Sequence, residues 1–109
     1  MPKDGVLASL ETAMSDPGSF KSGEYLEEHV SLYAKQFLQT DRLGLIEALR
    51  EWIILKREPQ MMLAVRLAKD LGLNEMYQDI ETLRQELSVK SEYPRFYLRD
   101  IDEVLNSLL

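Results

Sequence analysis

Residue types able to do chemistry are sparse in this chain. Its single histidine, His29, follows Glu27 and Glu28. A metal site on the Glu-x-x-His spacing needs a carboxylate three residues before the imidazole, but Leu26 stands there, so His29 reads as a surface or boundary residue. The absence of cysteine removes thiol nucleophiles, disulfides and thiolate-held zinc. Without a second histidine, a transition-metal site also lacks its usual ligands. Carboxylates are plentiful, yet Asp100, Asp102 and Glu103 fall on a solvated helix end where ordinary pKa values are expected. The five glycines are scattered and form no phosphate cradle, and no Gly-x-Ser-x-Gly elbow occurs. The expectation is a protein without catalytic residues, cofactor or metal.

Binding chemistry is better represented. Arg42, Arg50, Lys56, Arg57, Arg66 and Lys69 could form a cationic stripe for nucleic acid, but Glu47, Glu51, Glu58 and Asp70 are interleaved with them, several at i,i+3 or i,i+4. Ion pairs along the same helix therefore account for them. Most aromatic residues fall on apolar stripes and read as core or core rim. Phe96 is the exception, lying off the main stripe between Arg95 and Arg99, an aromatic-plus-arginine cluster of the kind found at protein interfaces.

Composition bounds these readings. A chain of 109 residues, 45% hydrophobic and 29% charged, is the size of one domain with one core. Its formal net charge of -6 disfavours general binding to phosphate backbones and anionic membranes. Residues 1–41 carry three basic and seven acidic groups, residues 42–73 six and four, and residues 74–109 four and eight, so a mildly basic middle separates two acidic ends. The first residues, Met1-Pro2-Lys3-Asp4-Gly5, lack the apolar run of a signal peptide, and no stretch reaches the roughly 18–20 apolar residues of a membrane span. A soluble, cytoplasmic protein is expected.

Periodicity supplies the elements that must hold these side chains. Helix 1 is predicted over residues 4–15, capped by Asp4, with Leu7, Leu10 and Met14 inward and Val6 and Ala13 widening the stripe. A loop over residues 15–23 follows, from which Phe20 folds back. Helix 2 (24–39) buries Leu26, Val30, Tyr33, Ala34 and Phe37. Thr40-Asp41 caps helix 3, which runs to residue 57 with Leu45, Ile46, Leu49, Trp52 and Ile53 inward. Pro59 fits the first turn of helix 4, and Gly72 ends it. Asn74 caps helix 5 (75–87), making helices 4 and 5 antiparallel neighbours. Pro94 opens helix 6, whose stripe is Tyr97, Leu98, Ile101, Val104, Leu105 and Leu108. Ile54 and Leu55 extend the apolar surface of helix 3 beyond one stripe, which suggests neighbours on two sides; with Met62 and Leu109 they are also apolar surface through which a homo-oligomer could form. No segment alternates with period two, so the class is all-α, about six helices in three antiparallel pairs over 4–39, 43–72 and 74–109.

Ile46-Glu47-Ala48-Leu49-Arg50 returns as Ile80-Glu81-Thr82-Leu83-Arg84, at a separation inside the range of helix-pair repeats. With Pro59 and Pro94 at the second helices, Arg66 within one and the Leu71-Gly72-Leu73 junction, about 65 residues resemble a HEAT-like helical repeat. A tetratricopeptide shares the period but its Trp, Leu-Gly and Tyr signature is missing. The resemblance implies a right-handed α-α stack, with a compact helical bundle as the alternative. It also implies that the second helices line a concave binding face, which places Glu27, Glu28, Ser31, Lys35, Arg66, Lys69, Arg99, Asp102 and Glu103 there, with Phe96 beside them. Small acidic helical proteins are similar to bacterial immunity proteins, in which surplus carboxylates meet a basic catalytic cleft. The function expected is thus a non-enzymatic module that binds, and as an inhibitor neutralises, a basic protein partner. The alternative is a nucleic-acid-binding or regulatory repeat protein using the basic middle.

Overall fold

The computed structural model describes residues 2–14, 23–56, 60–90 and 92–108; the side chains of residues 2–4, 13, 14 and 23–27 fall outside that description. The described residues form six α-helices and no strand: α1 (Pro2–Met14), α2 (Gly23–Thr40), α3 (Arg42–Leu55), α4 (Gln60–Asp70), α5 (Tyr77–Ser88) and α6 (Phe96–Leu108). The class is all-α, as the periodicity predicts. The expected loop over residues 15–23, with Phe20, and the expected helix start at Pro59 lie outside the described residues, Gly23 excepted. By its internal contacts the chain divides into two units, residues 1–49 and 50–109.

In the first unit α1 packs on α2. Leu10, Val30 and Ala34 are buried as predicted; on α1 Val6 is buried beside Leu10 while Leu7, expected inward, is only half-buried, because the buried face is centred one residue earlier than the predicted stripe. Because α1 begins at Pro2, Asp4 lies within the helix and is not its cap. Asp41 alone separates α2 from α3. Its Oδ1 accepts the Gly44 N–H at 3.0 Å, an N-cap bond, and its carbonyl accepts the Leu45 N–H at 3.0 Å. A Cβ at Gly44 would stand 2.8 Å from the Asp41 Cγ, so any other residue there would push the capping carboxylate aside.

The second unit is organised around α4. Met61 to Val65, Leu67 and Ala68 are all buried, so this helix is apolar nearly all round and must be covered on several sides. Met62, expected at the surface, is 3% exposed; a one-stripe reading missed the second apolar face it shares with Leu63. Helix α6 packs against both α4 and α5, through Ile101, Val104, Leu105 and Leu108, while α5 contributes Ile80, Leu83 and Leu87. Ile54 and Leu55, by contrast, are exposed: the reading of them as apolar surface holds, while the second covered face expected for helix 3 is corrected, since no described element covers its last turn there; Leu109 lies outside the described residues.

Backbone chemistry sets where these helices stop. Gly72, at φ +64, follows α4. Its N–H bonds to the Lys69 carbonyl at 3.2 Å and the Leu73 N–H to that of Ala68 at 2.9 Å, the paired bonds of a Schellman stop, with Leu73 buried beside them. The chain then makes a 3-10 turn over Asn74–Met76 before α5, and no side chain caps either the turn or the helix. The predicted Asn74 cap is therefore corrected: the extra turn carries out the reversal. Pro94 and Arg95 form a turn ahead of α6, their carbonyls accepting the Tyr97 and Leu98 N–H groups at 3.1 Å.

Helix α3 ends on Lys56 at φ +53, a left-handed conformation in which a Cβ is strained. Lys56→Gly should therefore be more stable than Lys56→Ala by about 1 kcal/mol in urea unfolding, since both lose the same side chain and differ in that strain. Gly72→Ala should act in the opposite sense, losing about 1 kcal/mol.

Candidate interaction surface

The polar geometry of the second unit is a set of ion pairs between helices. Arg50 Nε donates to Asp79 Oδ2 at 2.7 Å, and Lys56 Nζ to Glu86 Oε2 at 3.2 Å, tying the C-terminal part of α3 and the residue after it to α5. Arg66 Nη2 stands 3.8 Å from Asp100 Oδ2, and Lys69 Nζ donates to Glu103 Oε1 at 2.8 Å, tying α4 to α6. On both pairs of helices the residue numbers rise together, so α3 runs parallel to α5 and α4 to α6. Arg84 joins α5 to α6 through a two-point pair with Asp102, its Nη2 at 3.2 Å from Oδ2 and its Nε on Oδ1. The expected same-helix pairing is corrected here: Arg50, Lys56, Arg66 and Lys69 reach carboxylates on other helices. The helices pack side by side, which brings those groups nearer than the pattern along one helix suggests.

Several predicted surface residues are brought together. Phe96, Arg99 and Glu103 lie at i, i+3 and i+7, an exposed stripe along α6. Arg66 and Lys69 of α4 adjoin it through Asp100 and Glu103. Phe96 is 49% exposed and meets Tyr97 edge-on, ring centroids 5.0 Å apart. Asp102 departs from this stripe, turning towards α5 and Arg84. There it joins Tyr77, Glu81, Arg84 and Leu105 in lining an open groove of about 560 Å³ between α5 and α6. Arg84 meets Asp102, and the later Leu87 of α5 lines a notch with the earlier Leu98 of α6, so this helix pair is antiparallel.

The remaining predicted residues belong to the first unit. Glu28 and Lys35 are exposed on α2, whereas Ser31 between them is 8% exposed and offers little to a partner. The Glu27 side chain lies outside the described residues. His29 packs edge-on against Tyr33 at 5.5 Å. No group of three His, Cys, Asp or Glu suited to a metal ion occurs among the described residues.

Sequence reasoning passed over Asp79, Glu86 and Arg84. A signal for part of the network was present: Arg66 with Asp100 and Lys69 with Glu103 are both separated by 34 residues, the offset of Ile46 and Ile80. Opposite charges at the repeat offset mark positions that face each other on parallel helices.

Two groups in the network titrate away from their ordinary range. The hydrogen bond from Lys69, then its charge, hold the Glu103 carboxyl below its usual value against desolvation, with Arg99 contributing least. Ordinary behaviour was expected at this position and is corrected by that contact. The hydrogen bond and charge of Asp102 raise the Arg84 guanidinium. No helix among the described residues is long and apolar enough to cross a membrane.

Compared with protein-family models, with curated proteins and with solved structures, the chain matches none.

A depressed carboxylate pKa stabilises the fold fully above the unfolded value, here 4.5, and ceases to do so as pH falls through the folded value. Glu103→Gln should therefore lower Tm slightly at neutral pH, and the difference from the parent should vanish on acidification below that range. A gap between the two melting curves that stayed constant down to low pH would contradict this assignment.

Proposed function

We propose that this chain is a non-catalytic, cytoplasmic protein-binding module that engages a basic protein partner, in the manner of an inhibitor or immunity-type protein. The observation carrying this reading is where its cations go. Arg50, Lys56, Arg66 and Lys69, four of the six that would form a nucleic-acid stripe, are each met by a carboxylate from a later helix. Cations held this way are poorly placed to displace counterions from a phosphate backbone. The surplus is negative and concentrated in the first unit, whose residues 1–49 include four basic and eight acidic groups. Glu28 and Glu47 are exposed there. Such a surface attracts a basic partner and speeds its encounter at low salt.

The repeat reading draws support from the second unit. Two ion pairs at the 34-residue offset, on helices that run parallel, are what successive HEAT-like units would place in register. Ile46 and Ile80, the echoing positions, are both buried.

Affinity capture with the tagged chain should retain a basic protein at about 50 mM salt and release it at about 500 mM, where screening is strong. Glu28→Lys with Glu47→Lys should weaken retention without altering helicity. A gel shift with duplex DNA at about 50 mM salt should show no complex. A DNA complex abolished by removing Arg50 and Arg66, or capture indifferent to salt, would overturn the proposal.

A further inference from the structure

The connection between α5 and α6 folds around a notch of about 210 Å³ that takes no part in the ion-pair network. Apolar contact is offered there by Leu87, which is buried, by half-buried Tyr93 and Leu98, and by Pro94. Hydrogen-bonded turns on both sides hold it in shape. The Lys90 N–H bonds to the Leu87 carbonyl at 3.2 Å, the Tyr97 and Leu98 N–H groups bond to the Pro94 and Arg95 carbonyls at 3.1 Å, and the Tyr93 ring lies 6.4 Å from that of Tyr97. The walls are therefore formed before any ligand arrives, as in most small-molecule sites.

Charge is the second feature. Lys90 and Arg95 line the notch, and none of its described lining residues is acidic, in a chain whose net charge is -6. Arg95 is exposed and enters no ion pair among the described residues. Lys90 lies 3.9 Å from Glu92, with side chains 45% and 67% exposed, a contact too long and too open to neutralise it. The Gln85 and Leu87 carbonyls, which would repel an anion at the end of α5, are engaged by the Ser88 hydroxyl and the Lys90 N–H. A guanidinium beside an apolar recess suits one ligand chemistry: two parallel hydrogen bonds take a carboxylate, and the recess takes the carbon body attached to it.

We propose that this notch binds an organic carboxylate with a compact apolar body, Arg95 and Lys90 holding the anion while Leu87, Tyr93 and Leu98 contact the body. Its volume lies below the roughly 300–1,000 Å³ of sites for drug-sized molecules, so the ligand is a small acid or the last residue of a peptide. Both sources present the same group.

Titration of the whole isotope-labelled chain with phenylpropionate, followed by amide NMR shifts, tests this. The Val89, Lys90, Arg95 and Leu98 amides should shift saturably, with a Kd on the order of 1 mM for a ligand of about ten non-hydrogen atoms. Phenylpropanamide, equal in size but uncharged, and inorganic phosphate, charged but without an apolar body, should each bind at least about tenfold more weakly. Arg95→Gln should weaken binding of the acid about tenfold, and Ser88→Phe, which fills the mouth from an exposed position, should abolish the shifts, both with the helical signal intact. A tripeptide ending in Phe, compared with its C-terminal amide, separates the two sources. Tighter binding of the free-acid peptide than of phenylpropionate assigns the notch to a peptide terminus, and weaker binding assigns it to a free acid. Shifts that never saturate or that scatter over the chain, equal binding of phenylpropanamide or phosphate, or an unchanged affinity in Arg95→Gln would each overturn the assignment.

Discussion

Covering α4 is the constraint on which the second unit depends. From Met61 to Ala68 only Arg66 keeps partial access to water. A helix so apolar has no solvent face to spare, and leaving it uncovered would forfeit the burial that drives folding. The chain covers it in part with α6, which runs parallel to it. Parallel neighbours cannot be joined by a short turn, so α5 must first carry the chain back. The Schellman stop at Gly72 and the 3-10 turn at Asn74–Met76 make that return possible within a few residues.

Ion pairs then fix how the helices are offset. Their side chains are mostly one-third to one-half exposed, and ion pairs so open to water contribute little to stability. Their geometric effect is larger. Arg66 and Lys69 are one turn apart, as are Asp100 and Glu103, so sliding α6 along α4 would break both contacts together. The same pairs engage four cations of the middle third, Arg50, Lys56, Arg66 and Lys69. In the proposed binding role, the charges left for a partner are those outside this network, among them Glu28 and Glu47 of the first unit.

Helix endings connect this architecture to the exposed apolar groups. Asp41 stops α2 and starts α3 by capping, and Gly72 stops α4 through a left-handed backbone that glycine adopts without strain. Lys56 stops α3 in a similar conformation at a cost its side chain cannot avoid. It comes directly after Ile54 and Leu55, while its ammonium reaches Glu86. The end of α3 is thus held in place with its apolar residues facing water, an arrangement that burial alone would not select.

The sequence by itself determined the class, the core of α3, parts of those of α2 and α6, and the helix ends at Asp41 and Gly72. Those features are local: the 3.6-residue spacing of Val30 and Ala34 or of Ile101, Val104 and Leu108, an Asp three residues before a Gly, and a Gly between leucines each act through neighbouring backbone. Tertiary structure decided what depends on a second helix. Met62 is buried because α4 is covered on more than one face, and Ser31 is enclosed although its neighbours Glu28 and Lys35 are exposed. Asn74 gives its capping position over to a turn. Above all, the partners of Arg50, Lys56, Arg66 and Lys69 were chosen by packing, because a carboxylate on an adjacent helix can lie closer to a cation than one a turn away on its own.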